Sequence, residues 1–220
     1  MSTLTSGEQS VSESNSSTAW DRLAALLVLF SLALFLFAAA LPSDQLLSFR
    51  DAGHLYLAIK TRTADALRAG QLPTWEERMG CGWPFLADPV SQVLYPANLL
   101  FLFLSPVQGL KFFVLLHLAG AGWALMRLAQ QFGVSRSAAL VGGLLFLGSG
   151  AVVSQHWSPP WIAGLPWLLI SMSYTRHLLL GRGSWSSVAM LADSLALMIL
   201  AGALEQVVPF VAYGAAEMLL

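Results

Sequence analysis

Side chains able to do acid–base or anion chemistry are scarce in this chain and unevenly placed. Of twelve Asp and Glu residues, six fall in one stretch, residues 42–108: Asp44, Asp51, Asp65, Glu76, Glu77 and Asp88. The same stretch holds Arg50, Lys60, Arg62, Arg68 and Arg78, five of the eleven basic residues. A carboxylate can take the proton of an attacking hydroxyl, and a guanidinium matches phosphate oxygens in a fork. The candidate carboxylates are Asp51, Asp88 and, much later, Glu205; Arg62 is the candidate anion contact. Each also has a structural reading. Asp51 opens a helical stretch and suits a helix cap, and Asp88, between Ala87 and Pro89, suits a turn. Arg62 suits a lipid headgroup or a neighbouring acid. His54 lies one turn from Asp51 and shares its face.

The elements that must position these groups follow from composition. The chain has 220 residues, 56% hydrophobic and only 10% charged, with a mean hydropathy of +0.67. Soluble domains carry about 25% charged residues to cover their surface, so an ordinary soluble domain is excluded. A net charge of −1 argues against a nucleic-acid partner. A single cysteine, Cys81, excludes a disulfide framework and multi-cysteine metal sites. Neither a phosphate-binding Gly-rich loop nor a pair of His at helical metal-ligand spacing occurs.

Residues 1–19 are Ser- and Thr-rich and read as a disordered tail. Residues 20–220 read as an all-α, polytopic transmembrane domain with spans at 23–41, 109–130, 137–153, 161–180 and 186–204. A sixth run, 207–220, has 14 residues, about 21 Å at ~1.5 Å per residue, and reads as a span cut short. With the N-terminus inside, the inner segments carry Arg22, Arg127, Arg136, Arg176 and Arg182, and the short outer loops carry no Lys or Arg. Stretch 42–108 then faces outward, and Glu205 stands at the outer end of its run. Trp157, Trp161 and Trp185 mark span ends, as interfacial anchors do. Gly142, Gly143, Gly148 and Gly150 predict close helix packing, and Asp193 is expected to face the bundle.

Within the outer loop, Asp51 to Gly70 reads as a surface-lying helix with Leu55, Ile59, Ala66 and Leu67 on its apolar stripe. Lys60, Arg62 and Thr63 fall on its polar faces, and Gly70 ends it. A Gly- and Pro-rich segment follows, then an apolar stretch, 93–104, interrupted by Pro96 and too short to cross.

These residues carry a resemblance. The run Asp51…Gly70-Gln71-Leu72-Pro73-Thr74-Trp75…Gly80-Cys81-Gly82-Trp83-Pro84-Phe85-Leu86-Ala87-Asp88…Gln92…Tyr95-Pro96 resembles the first outer loop of the YfhO-like bacterial membrane proteins. Ala201-Gly202-Ala203-Leu204-Glu205…Pro209 is similar to a later turn of that family. The family in turn resembles the C-type (GT-C) polytopic glycosyltransferases, and its members are usually longer, so this chain resembles an N-terminal part. The resemblance implies a multi-pass protein of the bacterial inner membrane that uses a polyprenyl-phosphate-linked sugar on the outer face. It assigns Asp51 as catalytic base, while Asp88, Arg62 and Glu205 are expected to contact substrate by their chemistry and position. In related enzymes such an acid instead binds a divalent cation, Mg²⁺ or Mn²⁺, on the donor phosphate. The acid pair of better-studied relatives is absent, because Ala52-Gly53 follows Asp51. The alternative is a non-catalytic membrane protein that binds or moves a lipid-linked or envelope component.

Overall fold

The computed structural model describes residues 23–38 and 51–219. The disordered tail expected at 1–19, and Asp44 and Arg50, lie outside the described residues. Nine α-helices are described: α1 Leu23–Phe37, α2 Leu57–Arg68, α3 Leu100–Phe103, α4 Pro106–Gln131, α5 Arg136–Leu147, α6 Gly150–Val153, α7 Pro159–Leu179, α8 Trp185–Leu200 and α9 Val207–Leu219. The described residues hold no strand, only an isolated antiparallel bridge between Glu76 and Trp83.

The expectation of an all-α fold holds. Helix α4 is at once the longest helix and the centre of the bundle, packed on α2, α5 and α7. It is the one described helix long and apolar enough to cross a membrane by itself. Helix α5 reaches that length only together with Gly150–Trp157, at a bend of 44°. The bend has a local cause: Gly148 ends α5, and the Ser149 hydroxyl accepts from Val152 N to cap a new helix. The runs expected at 23–41 and 186–204 appear as the shorter α1 and α8. Helix α7 is long enough, but its prolines, serines, Tyr174 and Arg176 dilute its apolar character.

Packing follows from small residues. Ala25, Leu29, Ala33 and Phe37 recur every fourth position on α1, and all are buried. A Cβ on Gly143 would sit 2.8 Å from the Gly122 carbonyl oxygen and 3.3 Å from Leu29. Gly122 and Gly143 thus let α4 and α5 approach with Leu29 wedged beside them, as the glycine pattern predicts for Gly143. Gly142 and Gly150, by contrast, face open space. Asp193 departs from expectation: it is exposed on α8, whose buried positions are Ser187, Ser194 and Met198.

Residues 51–108 are folded onto the bundle. Gly70, at φ +67, terminates α2 with Gly70 N–Leu67 O and Gln71 N–Ala66 O bonds, the ending predicted for it. Helix α2 does not lie on a surface, however. Its buried positions are Ile59, Lys60, Thr63, Ala64 and Ala66, so two residues assigned to the polar face are in the interior. Phe85 and Val93 pack with Ile59 beneath the Gly- and Pro-rich segment.

Candidate functional site

Two contacts bring the segment around Pro89 and Gln92 to the turn between α8 and α9. Gln92, 2% exposed and left-handed at φ 55, donates from Nε2 to the Ala201 carbonyl. Beside it Gly202, at φ +73, leaves room for the Pro89 carbonyl, which lies 2.4 Å from where a Cβ would stand. Residues over 100 positions apart in sequence are thereby clamped together, with Asp88 on one side and Glu205 on the other.

Gly202→Ala is therefore expected to destabilise the fold. The left-handed backbone alone costs about 1–2 kcal/mol with a side chain, and the Pro89 carbonyl must also move. Thermal unfolding in detergent should show a midpoint several degrees lower. Gly214→Ala, with nothing within 4 Å of its Cβ, is the control and should leave the midpoint in place.

Tyr56 is a buried phenol that feels the charge of all three candidate acids. It lies in a π-helical turn, Ala52–Tyr56, that leads into α2, and it is 7% exposed. Burial pushes its phenol upward, a hydrogen bond with Ser158 opposes this, and Asp51, Glu205 and Asp88 each push it further up. The three candidate carboxylates thus all act on one hydroxyl, although they come from residues 51, 88 and 205.

The three are not equivalent. Asp51 is itself helical, at φ −75 and ψ −12, and makes no side-chain cap bond, so the capping role is not what holds it there. Asp88 does what its turn context predicts: Oδ1 accepts from Val90 N at 2.8 Å. Glu205 is exposed in the 3₁₀ turn Leu204–Gln206. Arg62 is not brought to the acids. It lies eleven residues beyond Asp51, about 16 Å along a helix at ~1.5 Å per residue. Its Nε donates to Glu76 Oε2 at 2.8 Å. Glu76 also accepts from Arg78 N at 2.9 Å, and these bonds hold its carboxyl below the usual range, the backbone bond first. Arg62 and Arg78 line a cavity of about 450 Å³ with Thr61, Asp65 and Glu76. Among the described residues, no three His, Cys, Asp or Glu side chains are placed to hold a metal ion.

Sequence reasoning missed two buried clusters. Lys60, 0% exposed, donates from Nζ to Asn98 Oδ1 at 2.8 Å and sits 5.0 Å from the Phe113 ring centroid. Desolvation pushes its amine down to about 7. Asn98 in turn donates to the Gln92 carbonyl, which joins Lys60 to the clamp. In the second cluster, Trp167 Nε1 donates to Tyr95 Oη at 2.6 Å, and Tyr95 Oη meets His117 Nε2 at 2.6 Å. His117 Nδ1 lies 2.6 Å from the Phe113 carbonyl, which only accepts, so Nδ1 carries the proton and Tyr95 donates to Nε2. Gln92, Tyr95 and His117 were visible as polar residues in or beside apolar runs, but nothing in their spacing joined them.

Fold and site define an α-helical bundle with a folded cap that carries both acids and arginines, Asp51, Asp88, Arg62 and Arg78 among them. Comparison with protein-family models, curated proteins and solved structures finds no match.

Proposed function

We propose that this chain is a polytopic protein of the bacterial inner membrane, N-terminus in the cytoplasm, that transfers a sugar from a polyprenyl-phosphate donor at the outer face. The observation that supports the site is that the charges of Asp51, Glu205 and Asp88 all push the Tyr56 phenol upward. In the step proposed, Asp51 accepts the proton of the acceptor hydroxyl as its oxygen bonds to the anomeric carbon. The bond from that carbon to the phosphate oxygen breaks, and the polyprenyl phosphate leaves with the electron pair. Glu205 and Asp88 orient hydroxyls of the sugar, and Arg62 with Arg78 offers a separate place for an anionic part of the acceptor.

Membrane embedding is supported by the crossing length of α4 and by large apolar side chains exposed on the outward faces of other helices. Val141 and Leu145 on α5, Ile199 and Leu200 on α8, and Val208 and Val211 on α9 are all exposed. Such surface is costly in water and neutral in hydrocarbon. The test uses membrane vesicles containing the full chain and a radiolabelled polyprenyl-phosphate sugar. Label moving from lipid to acceptor supports transfer. Label crossing the bilayer while still attached to its lipid favours the alternative, a carrier.

A further inference from the structure

A cavity of about 450 Å³ lies between α2 and the Gly- and Pro-rich segment that follows it. Ala58, Thr61, Arg62 and Asp65 line it from α2. Their spacing, i, i+3, i+4 and i+7, puts them on one face of the helix. Glu76 and Arg78 line it from the following segment.

That segment is held in place by its own bonds. Glu76 and Trp83 exchange both backbone hydrogen bonds, each at 2.9 Å. Gly82, at φ +104, admits the Trp75 ring, which would stand 2.6 Å from a Cβ at that position. The Glu76 carboxylate accepts from Arg62 Nε on Oε2 at 2.8 Å and from Arg78 N on Oε1 at 2.9 Å. Its side chain is 9% exposed against 36% for that of Arg62, so the acid is the inner partner. Glu76 thus fixes the arginine through Nε, and the Nη edge of the guanidinium is the part offered to a ligand. Asp65, exposed, follows Arg62 by one turn on the same face. Side chains so spaced start about 5–6 Å apart at Cβ.

We infer that this cavity binds a zwitterion in which a phosphate is joined to a primary ammonium by a short spacer, as in a phosphoethanolamine headgroup. The phosphate oxygens meet Arg62 and Arg78, and the ammonium donates to Asp65. A phosphate alone would stand within a helical turn of the Asp65 carboxylate and be repelled by it. An ammonium alone would meet two guanidinium groups. A trimethylammonium has the charge but no N–H to give the carboxylate. A membrane lipid, phosphatidylethanolamine, and a soluble ester, glycerophosphoethanolamine, both offer this chemistry. The inference rests on Arg62 and Arg78 forming a ligand place, as proposed above, and not on sugar transfer.

Two measurements on the full purified chain test it. In detergent, calorimetry compares glycerophosphoethanolamine with glycerophosphocholine and glycerophosphoglycerol. In phosphatidylcholine nanodiscs holding equal minor fractions of phosphatidylethanolamine and phosphatidylglycerol, mass spectrometry quantifies the lipids retained on transfer to detergent. The ethanolamine form is expected to lead by about tenfold, the scale of one charge-assisted hydrogen bond. A lead in the nanodiscs assigns the lipid, and one confined to calorimetry assigns the soluble ester. Asp65→Asn should remove the lead; only the backbone carbonyl of Asp65 supports α2, through Ala69 N, and it is unchanged. Arg78→Gln keeps the backbone bond to Glu76 and should weaken all three forms alike. Equal binding of the three forms in both measurements overturns the inference, and needs no variant to fold. A glycerol form bound more tightly than the ethanolamine form also overturns it, in favour of a simple anion. An ethanolamine lead that survives Asp65→Asn overturns it as well. Absence of sugar transfer leaves these binding results unchanged, so the two readings fail separately.

Discussion

Asp51→Asn is expected to lower sugar transfer by about 10²–10⁴-fold, the usual contribution of a general base, while leaving the protein as stable as before. The amide keeps the shape of the carboxylate and cannot take a proton. Because Asp51 makes no cap bond, no backbone group loses its partner, and surface changes of this kind stay within about 0.5 kcal/mol. The loss should appear in kcat, with KM little changed, since the lost interaction belongs to the transition state. Asp88→Asn keeps an acceptor for Val90 N, so its turn should persist and transfer should fall less. Glu205→Gln should act mainly on KM if Glu205 only orients the sugar. Undiminished transfer by Asp51→Asn at normal expression would remove Asp51 from the role of base, whatever the other two variants do.

The second large effect concerns stability and comes from Lys60. Its amine is pushed down to about 7 by burial from an ordinary 10.5. Between those values the unfolded chain holds a proton that the folded chain has released. Stability must therefore rise with pH across that window, by up to about 1.4 kcal/mol per pH unit. Below about 7 both states carry the proton and the full penalty of the buried charge remains. Above 10.5 neither carries it, and the dependence ends. Lys60→Met, similar in length and uncharged, should flatten the profile between pH 7 and 10.5. It also leaves Asn98 Oδ1 without its donor, at a cost of about 1–3 kcal/mol. Lys60→Ala should be worse, since it adds a cavity beside Phe101 and Phe113. Thermal unfolding of the purified chain across that range checks all three. A wild-type profile no steeper than that of Lys60→Met would mean that the amine meets water or an acid.

These expectations differ in how far the chain announced them. The helix from Asp51 to Gly70 was legible because its stop signal is local: Gly70 takes a left-handed conformation that few other residues tolerate. Asp88 at its turn was legible for the same reason. Lys60 was not. Its sequence neighbours, Ile59 and Thr61, give no sign that Asn98 and Phe113 will close over it. Asp193 misled in the opposite direction, since a charge in an apolar run suggests an inward face and α8 turns it outward. Arg62 was singled out for its guanidinium chemistry, and which acid it would pair with, Glu76, was decided by the packing of the segment that follows α2.

By itself the sequence determined the all-helical class and most helix boundaries, because backbone hydrogen bonds in a helix close within four residues and caps act within a turn. It also determined which side chains were available for chemistry. Only the tertiary structure decided which of them meet. The segments that carry Asp88 and Glu205 are joined because Gln92 reaches Ala201 and Gly202 admits Pro89, and the charges of both, with that of Asp51, act on Tyr56. Those contacts depend on how three distant segments pack, and no local spacing encodes the distance between them.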